Sequence, residues 1–174
     1  MIEFTFCPNC RAPLIPNSSD IEFRMACSEN CGFIHYDNPT PIVAVVVEYR
    51  GEIVLAHNRA WPGPYYGLIT GFIEHAESPS QCAIREVKEE LNLDATDATL
   101  INVYPSAAMN QIVIGYHVLA DGEIVLNEEL DDFKLLSLDK CFSWPTSTGF
   151  IFRDWLRSQN VEPKMIELPN IENV

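Results

Sequence analysis

Residues 71–93, GFIEHAESPSQCAIREVKEELNL, predict a helix together with the chemistry on its surface. Ser78 is a typical N-cap and Pro79 is favoured at the first helical position, so we expect the helix over residues 78–91. At about 100° per residue, one arc of this helix is apolar and can face a core. That arc holds Ala83, Ile84, Val87 and Leu91. The polar side chains share an arc of roughly 140°. They are Arg85, Glu86, Glu89 and Glu90.

Three carboxylates on one helix face repel one another. Each exposed pair of like charges four residues apart costs roughly a few tenths of a kcal/mol. Arg85 can pair with Glu89 at the i+4 position, but this relieves only part of the repulsion. A divalent cation is therefore the natural partner of this face. Oxygen ligands without a histidine among them favour Mg²⁺ or Mn²⁺ over zinc.

The order of residues in this segment is similar to a known family signature. Gly71 is followed after five residues by Glu77, and after seven more by Arg85, which opens the run REVKEELNL. This pattern resembles the Nudix box, Gx5Ex7REUxEExGU, in which U is a bulky aliphatic residue. Asn92 stands where the family has glycine, and asparagine is the next-best residue for the left-handed conformation expected after a helix. The alternative is an ordinary charged amphipathic helix with a solvated face.

The resemblance implies a fold and a set of roles. The fold is of the α/β (α+β) class, an αβα sandwich with a mixed sheet. The ligands of a catalytic Mg²⁺ or Mn²⁺ would be Glu86, Glu89, Glu90 and the backbone carbonyl of Thr70, next to Gly71. Arg85 would fix the orientation of the carboxylates, and Glu77 would tie the preceding loop to the helix.

A general base and a substrate surface are also expected. Family enzymes often supply the base from a loop after the box, and we choose Glu129, which precedes Leu130 in an acidic segment. The competing carboxylates are Glu128, Glu123 and Asp131. Aromatic rings near the entrance could stack an adenine, and an arginine could pair with a phosphate. The residues assigned to substrate binding are Arg59, Trp61, Tyr65 and Phe72, each of which also fits a packing role.

Four of the six cysteines lie near the N-terminus in two pairs, CPNC at residues 7–10 and CSENC at residues 27–31. Four thiolates can close a tetrahedral structural zinc site, and so small a segment has little core of its own. We therefore predict a zinc ribbon with ligands Cys7, Cys10, Cys27 and Cys31. Two disulfides or four free thiols are the alternatives. Cys82 and Cys141 are interpreted as small buried thiols.

The resemblance extends to zinc-ribbon Nudix proteins of the NADH pyrophosphatase and ADP-ribose pyrophosphatase branch. It rests on the order of the ribbon, HYDNPTPIVAVVVE at residues 35–48, the box, and WPTSTG at residues 144–149. Residues 105–111 read PSAAMNQ, where NADH pyrophosphatases carry SQPWPFP. The resemblance implies Mg²⁺-dependent hydrolysis of the pyrophosphate bond in a nucleoside diphosphate linked to another moiety. ADP-ribose, FAD and NADH-like substrates all remain open.

The cysteine spacing and the family resemblance together imply three segments, namely the ribbon over residues 1–37, the Nudix domain over 38–160 and a loosely packed or flexible tail over 161–174. Within the domain we expect strands at 42–48, 53–57, 65–70, 99–104, 111–119 and 133–136. An amphipathic helix at 149–158 would close it.

Composition limits the remaining possibilities. The net charge of −14 argues against nucleic-acid binding through a basic patch. The longest apolar run, residues 42–47, is too short to cross a bilayer, and the first residues do not resemble a signal peptide, so we expect a cytoplasmic protein without membrane contact. The sequence leaves the oligomeric state open, and a homodimer is one state to consider.

Two other functions compete with the enzyme. One is a non-catalytic ligand sensor or protein-interaction module built on the Nudix scaffold. Degenerate sensors usually lose box carboxylates, whereas Glu86, Glu89 and Glu90 are all present here. The other is a nucleic-acid-binding zinc ribbon, which conflicts with the acidic charge.

Overall fold

A computed structural model describes residues 4–18, 22 and 24–167. Backbone contacts divide the chain into two units, Met1–Pro39 and Thr40–Val174. The first unit contains three short antiparallel strands, β1 (Leu14–Pro16), β2 (Met25–Cys27) and β3 (Ile34–His35). Its described core is small. The buried residues are Cys7, Leu14 and Cys27.

The second unit is built on a six-stranded mixed sheet. Its strands are β4 (Thr40–Tyr49), β5 (Glu52–Asn58), β6 (Ile69–Phe72), β7 (Asp94–Ser106), β8 (Gln111–Asp121) and β9 (Leu130–Leu136). They lie in the order β7-β8-β4-β5-β9, and β6 pairs with β4 beside β5. The pairing of β4 with β8 is parallel, and the other pairs are antiparallel. Strand β4 thus lies at the centre, with neighbours on both edges.

Two helices, α1 (Pro79–Leu91) and α2 (Ser147–Ser158), cover opposite faces of this sheet. Side chains alternate along a strand, and β4 divides its residues accordingly between two cores. Val43, Val45 and Val47 pack in the core that contains Val87 and Leu91 of α1. The alternate β4 residues pack in the core of α2. These are Ile42, Ala44 and Val46, which meet Ile151, Phe152 and Trp155. The αβα sandwich expected from the sequence is confirmed.

Local sequence explains both ends of α1. The Ser78 hydroxyl accepts the Gln81 backbone N–H, and the Gln81 side chain accepts the Ser78 backbone N–H, which is a capping box. Asn92 ends the helix in the left-handed conformation, with φ of 59°. Asparagine thus fills the position where the family has glycine.

Several predicted boundaries were wrong, including the start of β7, which lies at Asp94 instead of residue 99. The strand expected at 65–70 lies at Ile69–Phe72, because Tyr65 and Tyr66 line a cavity instead of a strand ladder. Strand β9 begins at Leu130, inside the segment interpreted as an acidic loop, because Asp131 and Asp132 have partners on neighbouring elements. Helix α2 begins at Ser147 instead of residue 149.

The end of the described chain is ordered by a short pair of parallel strands, β10 (Phe142–Ser143) and β11 (Lys164–Met165). The backbone N–H of Ile166 donates to the Ser143 carbonyl at 2.8 Å, and the Ile166 side chain packs against the α2 core. This differs from the loosely packed tail that we expected from residue 161 onward. Residues 168–174 of that tail lie outside the described part of the chain. Within the described part, no helix is both long enough and apolar enough to span a membrane.

Candidate active site and metal centre

The four N-terminal cysteines converge in the first unit. Their sulfurs all lie within 4.8 Å of one another, with Cys7 Sγ 3.4 Å from Cys31 Sγ and Cys10 Sγ 3.3 Å from Cys27 Sγ. A disulfide needs about 2.05 Å, whereas sulfurs around a tetrahedral zinc lie about 3.8 Å apart. The arrangement therefore fits a closed metal site of four thiolates.

The turns around these cysteines aim backbone N–H groups at sulfur. The N–H of Cys31 makes the largest contribution that lowers the pKa of Cys27, to about 6. The extra residue in the second cysteine pair therefore does not prevent this contact. Arg11 follows the first pair with φ of 65°, the left-handed conformation for which glycine is common.

We predict about one zinc per chain, bound by these four thiolates. Replacing both Cys7 and Cys10 by serine should release the metal and unfold the first unit, since metal binding supplies the stability that three buried residues cannot. Elemental analysis and thiol titration measure the loss. The hydrolysis that the box resemblance implies should persist, because the second unit has its own cores. A collapse of kcat in a variant whose second unit is folded would assign the metal to the chemistry instead.

Arg85 organises the acidic face of α1. Its Nε and Nη2 donate to the two carboxylate oxygens of Glu77 at 2.8 and 2.9 Å, and its Nη1 donates to both Glu86 and Glu89 at 2.8 and 2.9 Å. Its Nη2 also donates to the Phe72 carbonyl at 3.0 Å. Arg85 therefore connects the loop, the end of β6 and two helix carboxylates. This bidentate pairing lowers the pKa of Glu77 to about 2.

Glu86 lies directly against the backbone of Gly71. A Cβ atom on Gly71 would be 1.9 Å from Glu86 Oε1, so only glycine leaves space for this carboxylate. Gly71 and Thr70 belong to β6, where they pair with Val43 and Ala44 of β4. The first glycine of the box thus allows a helix carboxylate to approach the strand that carries the Thr70 carbonyl.

Glu90 is a mostly buried carboxylate, only 8% exposed. Burial, together with the charges of Glu86, Glu129 and Glu89, raises the pKa of Glu90 to about 8. Within the described residues, the four cysteines are the one group of side chains placed closely enough to hold a metal ion, and the glutamates do not form such a group here. An accumulation of negative charge around a buried carboxylate is the kind of environment that a divalent cation stabilises.

These groups surround one cavity of about 540 Å³. Its lining includes Thr70, Gly71, Arg85, Glu86, Glu89, Glu90 and Glu129. Of the four carboxylates considered for the base, Glu129 alone lines this cavity. Glu128 lines a neighbouring one, and Asp131 is paired with His57. Glu86, Glu89, Glu90 and Glu129 thus lie on one concave surface.

A second cavity of about 460 Å³ adjoins the first, and Trp61, Leu68 and Thr70 line both. Its walls are mostly apolar and aromatic. Of the residues assigned to substrate binding, Trp61 and Tyr65 line this apolar cavity, whereas Phe72 lines the acidic one. Arg59 lines neither, and its guanidinium donates to the Leu130 carbonyl.

Sequence reasoning missed much of this apolar wall. Trp144, Thr146 and Thr148 line it and belong to the WPTSTG segment, for which the sequence indicates a family resemblance but no role. Tyr66, Lys134, Phe142 and Ile166 also line the cavity. Residues from positions 55 to 166 meet here, and no local pattern signals such a convergence.

Solved structures share this architecture. A NUDIX hydrolase from Nitrosomonas europaea superposes with a TM-score of 0.74 over 95% of this chain and 100% of that one, at 22% identity. An ADP-ribose pyrophosphatase from Streptococcus suis gives 0.58 over 75% of this chain and 100% of that one, at 17% identity. At these identities the likeness shows the fold.

The family follows from the sequence. The model of the NUDIX domain matches residues 38–156, so the chain belongs to the Nudix family. NAD-capped RNA hydrolase NudC from Pseudomonas aeruginosa is 32% identical over 136 residues, which cover 77% of this chain and 48% of the relative. NudC from Vibrio vulnificus is also 32% identical, over 77% of this chain and 51% of its own length. The chain spans about half the length of these curated relatives.

Proposed function

We propose that this protein hydrolyses the pyrophosphate bond of a nucleoside diphosphate linked to a second moiety, with Mg²⁺ or Mn²⁺ at the glutamates of α1. The observation that carries the proposal is the pair of adjoining cavities. One is lined by glutamates on α1 and by Glu129, and the other by aromatic side chains. A pyrophosphate with bound cations fits the acidic cavity, and a base or another flat group fits the aromatic one.

Each group has a defined task in this reaction. Divalent ions bound at Glu86, Glu89, Glu90 and the Thr70 carbonyl would neutralise the phosphates and lower the pKa of the attacking water. Glu129 would accept a proton from that water as its oxygen bonds to phosphorus. The bond from phosphorus to the bridging oxygen then breaks, which gives two monophosphates. Arg85 holds Glu86 and Glu89 in place throughout.

The relatives suggest which substrates to test first. The name of NudC describes hydrolysis of NAD-capped RNA, and the S. suis structure is named as an ADP-ribose pyrophosphatase. Residues 105–111 differ from the NADH pyrophosphatase pattern, and Met109 and Gln111 from this segment line the acidic cavity. We therefore place ADP-ribose and FAD beside NAD and NADH as substrates.

The decisive assay measures monophosphate release from ADP-ribose, NAD, NADH, FAD, a diadenosine polyphosphate and an NAD-capped RNA oligonucleotide. We expect turnover with Mg²⁺ or Mn²⁺. Nearly all of the activity should be lost when the ion is omitted, and adding the ion back should restore it. Tight binding of one of these compounds without turnover in any metal would instead favour the ligand sensor.

Glu129 provides a separate test of the proposed base. Glu129→Gln should lower kcat by about 10²- to 10⁴-fold, the range that general-base catalysis contributes, and KM should change little. Glu128→Gln is the matched control, because the neighbouring carboxylate lies outside the acidic cavity. Equal losses in the two variants, or none in either, would remove Glu129 from this role.

A further inference from the structure

Both ring nitrogens of His57 are engaged at the end of β5. Nδ1 lies 2.5 Å from Asp131 Oδ1, and Nε2 lies 2.8 Å from the carbonyl oxygen of Gly63. A carbonyl oxygen only accepts, so Nε2 must carry a proton, and the carboxylate accepts a second hydrogen bond, from a proton on Nδ1. An imidazole that donates from both nitrogens is the protonated imidazolium. The His57 side chain is 15% exposed, whereas its partners Asp131 and Gly63 are exposed at the surface.

A β-bulge brings Asp131 to this position. In the pairing of β5 with β9, His57 is opposite Asp132 and Asn58 is opposite Leu130, which leaves Asp131 as an extra residue on β9. Bulges bend a strand locally and can redirect a side chain. Here the extra residue directs its carboxylate to His57. The contact is therefore part of the sheet geometry, and it fixes one side of the imidazolium.

The other ring nitrogen of His57, Nε2, donates a hydrogen bond to the loop between β5 and β6. Gly63 lies in this loop, two residues after Trp61. The Trp61 ring packs edge-on against the His57 ring at 6.4 Å between centroids. It also lies over Gly67, where a Cβ atom would be 2.9 Å from the ring. Trp61 lines both cavities, so this loop forms the wall that the acidic and apolar cavities share.

We propose that His57, bridging Asp131 and Gly63, is a positioning residue that holds Trp61 in the wall between the two cavities. This inference rests on the proposed function, because the two cavities are assigned there to two parts of one substrate. A neutral imidazole can donate from only one nitrogen, so loss of the proton breaks one of the two contacts. The wall is then held from one side only, and a substrate that spans both cavities binds less tightly.

The charges around His57 set the direction of this effect. The hydrogen bond to Asp131 is the largest cause that raises the pKa of His57 above 6.5, and the Gly63 carbonyl and the charge of Asp132 add to it. The bridge is therefore complete below pH 6.5 and is lost as the pH rises through the raised value. The other polar side chains near His57 have partners of their own. The Tyr66 hydroxyl donates to Asp132, the Lys134 ammonium lies 3.8 Å from the Tyr66 ring centroid, and Arg59 contacts the Leu130 carbonyl.

The kinetic test follows KM and kcat of the wild type and variants from pH 6 to 9. His57→Gln should raise KM roughly tenfold at pH 6.5, the scale of one lost charge-assisted hydrogen bond, while kcat at saturation stays nearly constant. The rise of KM with pH that we expect in the wild type should disappear in this variant. Asp131→Asn should move that rise to lower pH. Asp139→Asn makes the same charge change on an exposed carboxylate outside both cavities, and it should follow the wild type.

Two results would overturn the proposal. One is an unchanged KM and pH course in His57→Gln. The other is a fall in kcat with KM unchanged, which would move His57 into the chemistry.

Two measurements without substrate separate this inference from the proposed function. The ring ¹⁵N spectrum at pH 6.5 should contain the signal of a histidine protonated on both nitrogens that is absent in His57→Gln. The Trp61 emission, obtained by subtracting the spectrum of Trp61→Phe, should shift in His57→Gln and in wild type at high pH. If no compound is hydrolysed, the proposed function fails, and these spectra still test whether His57 bridges Asp131 and Gly63. A singly protonated His57 at pH 6.5, or an unchanged Trp61 emission, would refute it.

Discussion

Glu90→Gln is expected to lower kcat by roughly a hundredfold or more while the fold remains intact, since preorganised charge at a reacting centre contributes on that scale. Glutamine keeps the shape of this mostly buried side chain but removes its charge. Glu89→Gln should act in the same direction through a carboxylate that is 55% exposed. Steady-state kinetics over a Mg²⁺ titration should also show a weaker apparent affinity for the ion in both variants.

The control for these variants is Glu123→Gln. Glu123 is an exposed glutamate that lines neither cavity, so the turnover of Glu123→Gln should match that of the wild type. Circular dichroism confirms that each variant is folded. Near-normal kcat in both Glu89→Gln and Glu90→Gln would exclude α1 from the mechanism.

Gly71→Ala should reduce kcat on a similar scale, although it adds only a methyl group. The new Cβ would lie 1.9 Å from Glu86 Oε1 and 2.0 Å from its Cδ, so the Glu86 side chain must leave its position. Gly71 is not among the residues with positive φ, and an alanine can adopt its backbone conformation without strain. The substitution should therefore displace the Glu86 carboxylate and leave the backbone of β6 unchanged. Steady-state kinetics should show the loss of kcat, and thermal unfolding should show that the stability of the fold is retained.

A double-mutant cycle identifies the cause. If the methyl group acts by displacing Glu86, then Gly71→Ala should add little to the loss already caused by Glu86→Gln. Additive losses would show that glycine is needed for another reason, such as the approach of substrate to the β6 backbone. Unchanged kinetics in Gly71→Ala alone would contradict the geometry of this contact.

The elements that the sequence predicted well are those whose signals are local. Ser78, Pro79 and Asn92 define the ends of α1 by side chain and backbone preferences that act within one helical turn. The helix face follows from spacing alone, and the family match confirms its interpretation as a Nudix box. The roles of Glu86, Glu89, Glu90 and the base remain predictions that the kinetic variants test.

Features that the sequence did not predict depend on contacts between distant segments. Strand β9 starts in an acidic run, because His57 and Tyr66 pair with Asp131 and Asp132 across the sheet. An isolated reading of that run favours a solvated loop. The apolar cavity likewise needs Leu55 and Ile166 in one place, and no window of sequence contains both.

The parallel pairing of β4 with β8 has a consequence for how the chain is synthesised. Thr40 pairs with Gln111, so the partners are 111 − 40 = 71 residues apart. One edge of β4 can acquire its partner only after the whole of α1 and β7 has left the ribosome. Until then, the run IVAVVV at residues 42–47 has one unpaired strand edge, the type of apolar edge that aggregates readily. The nascent second unit is thus exposed to aggregation from the synthesis of β4 until β8 has emerged.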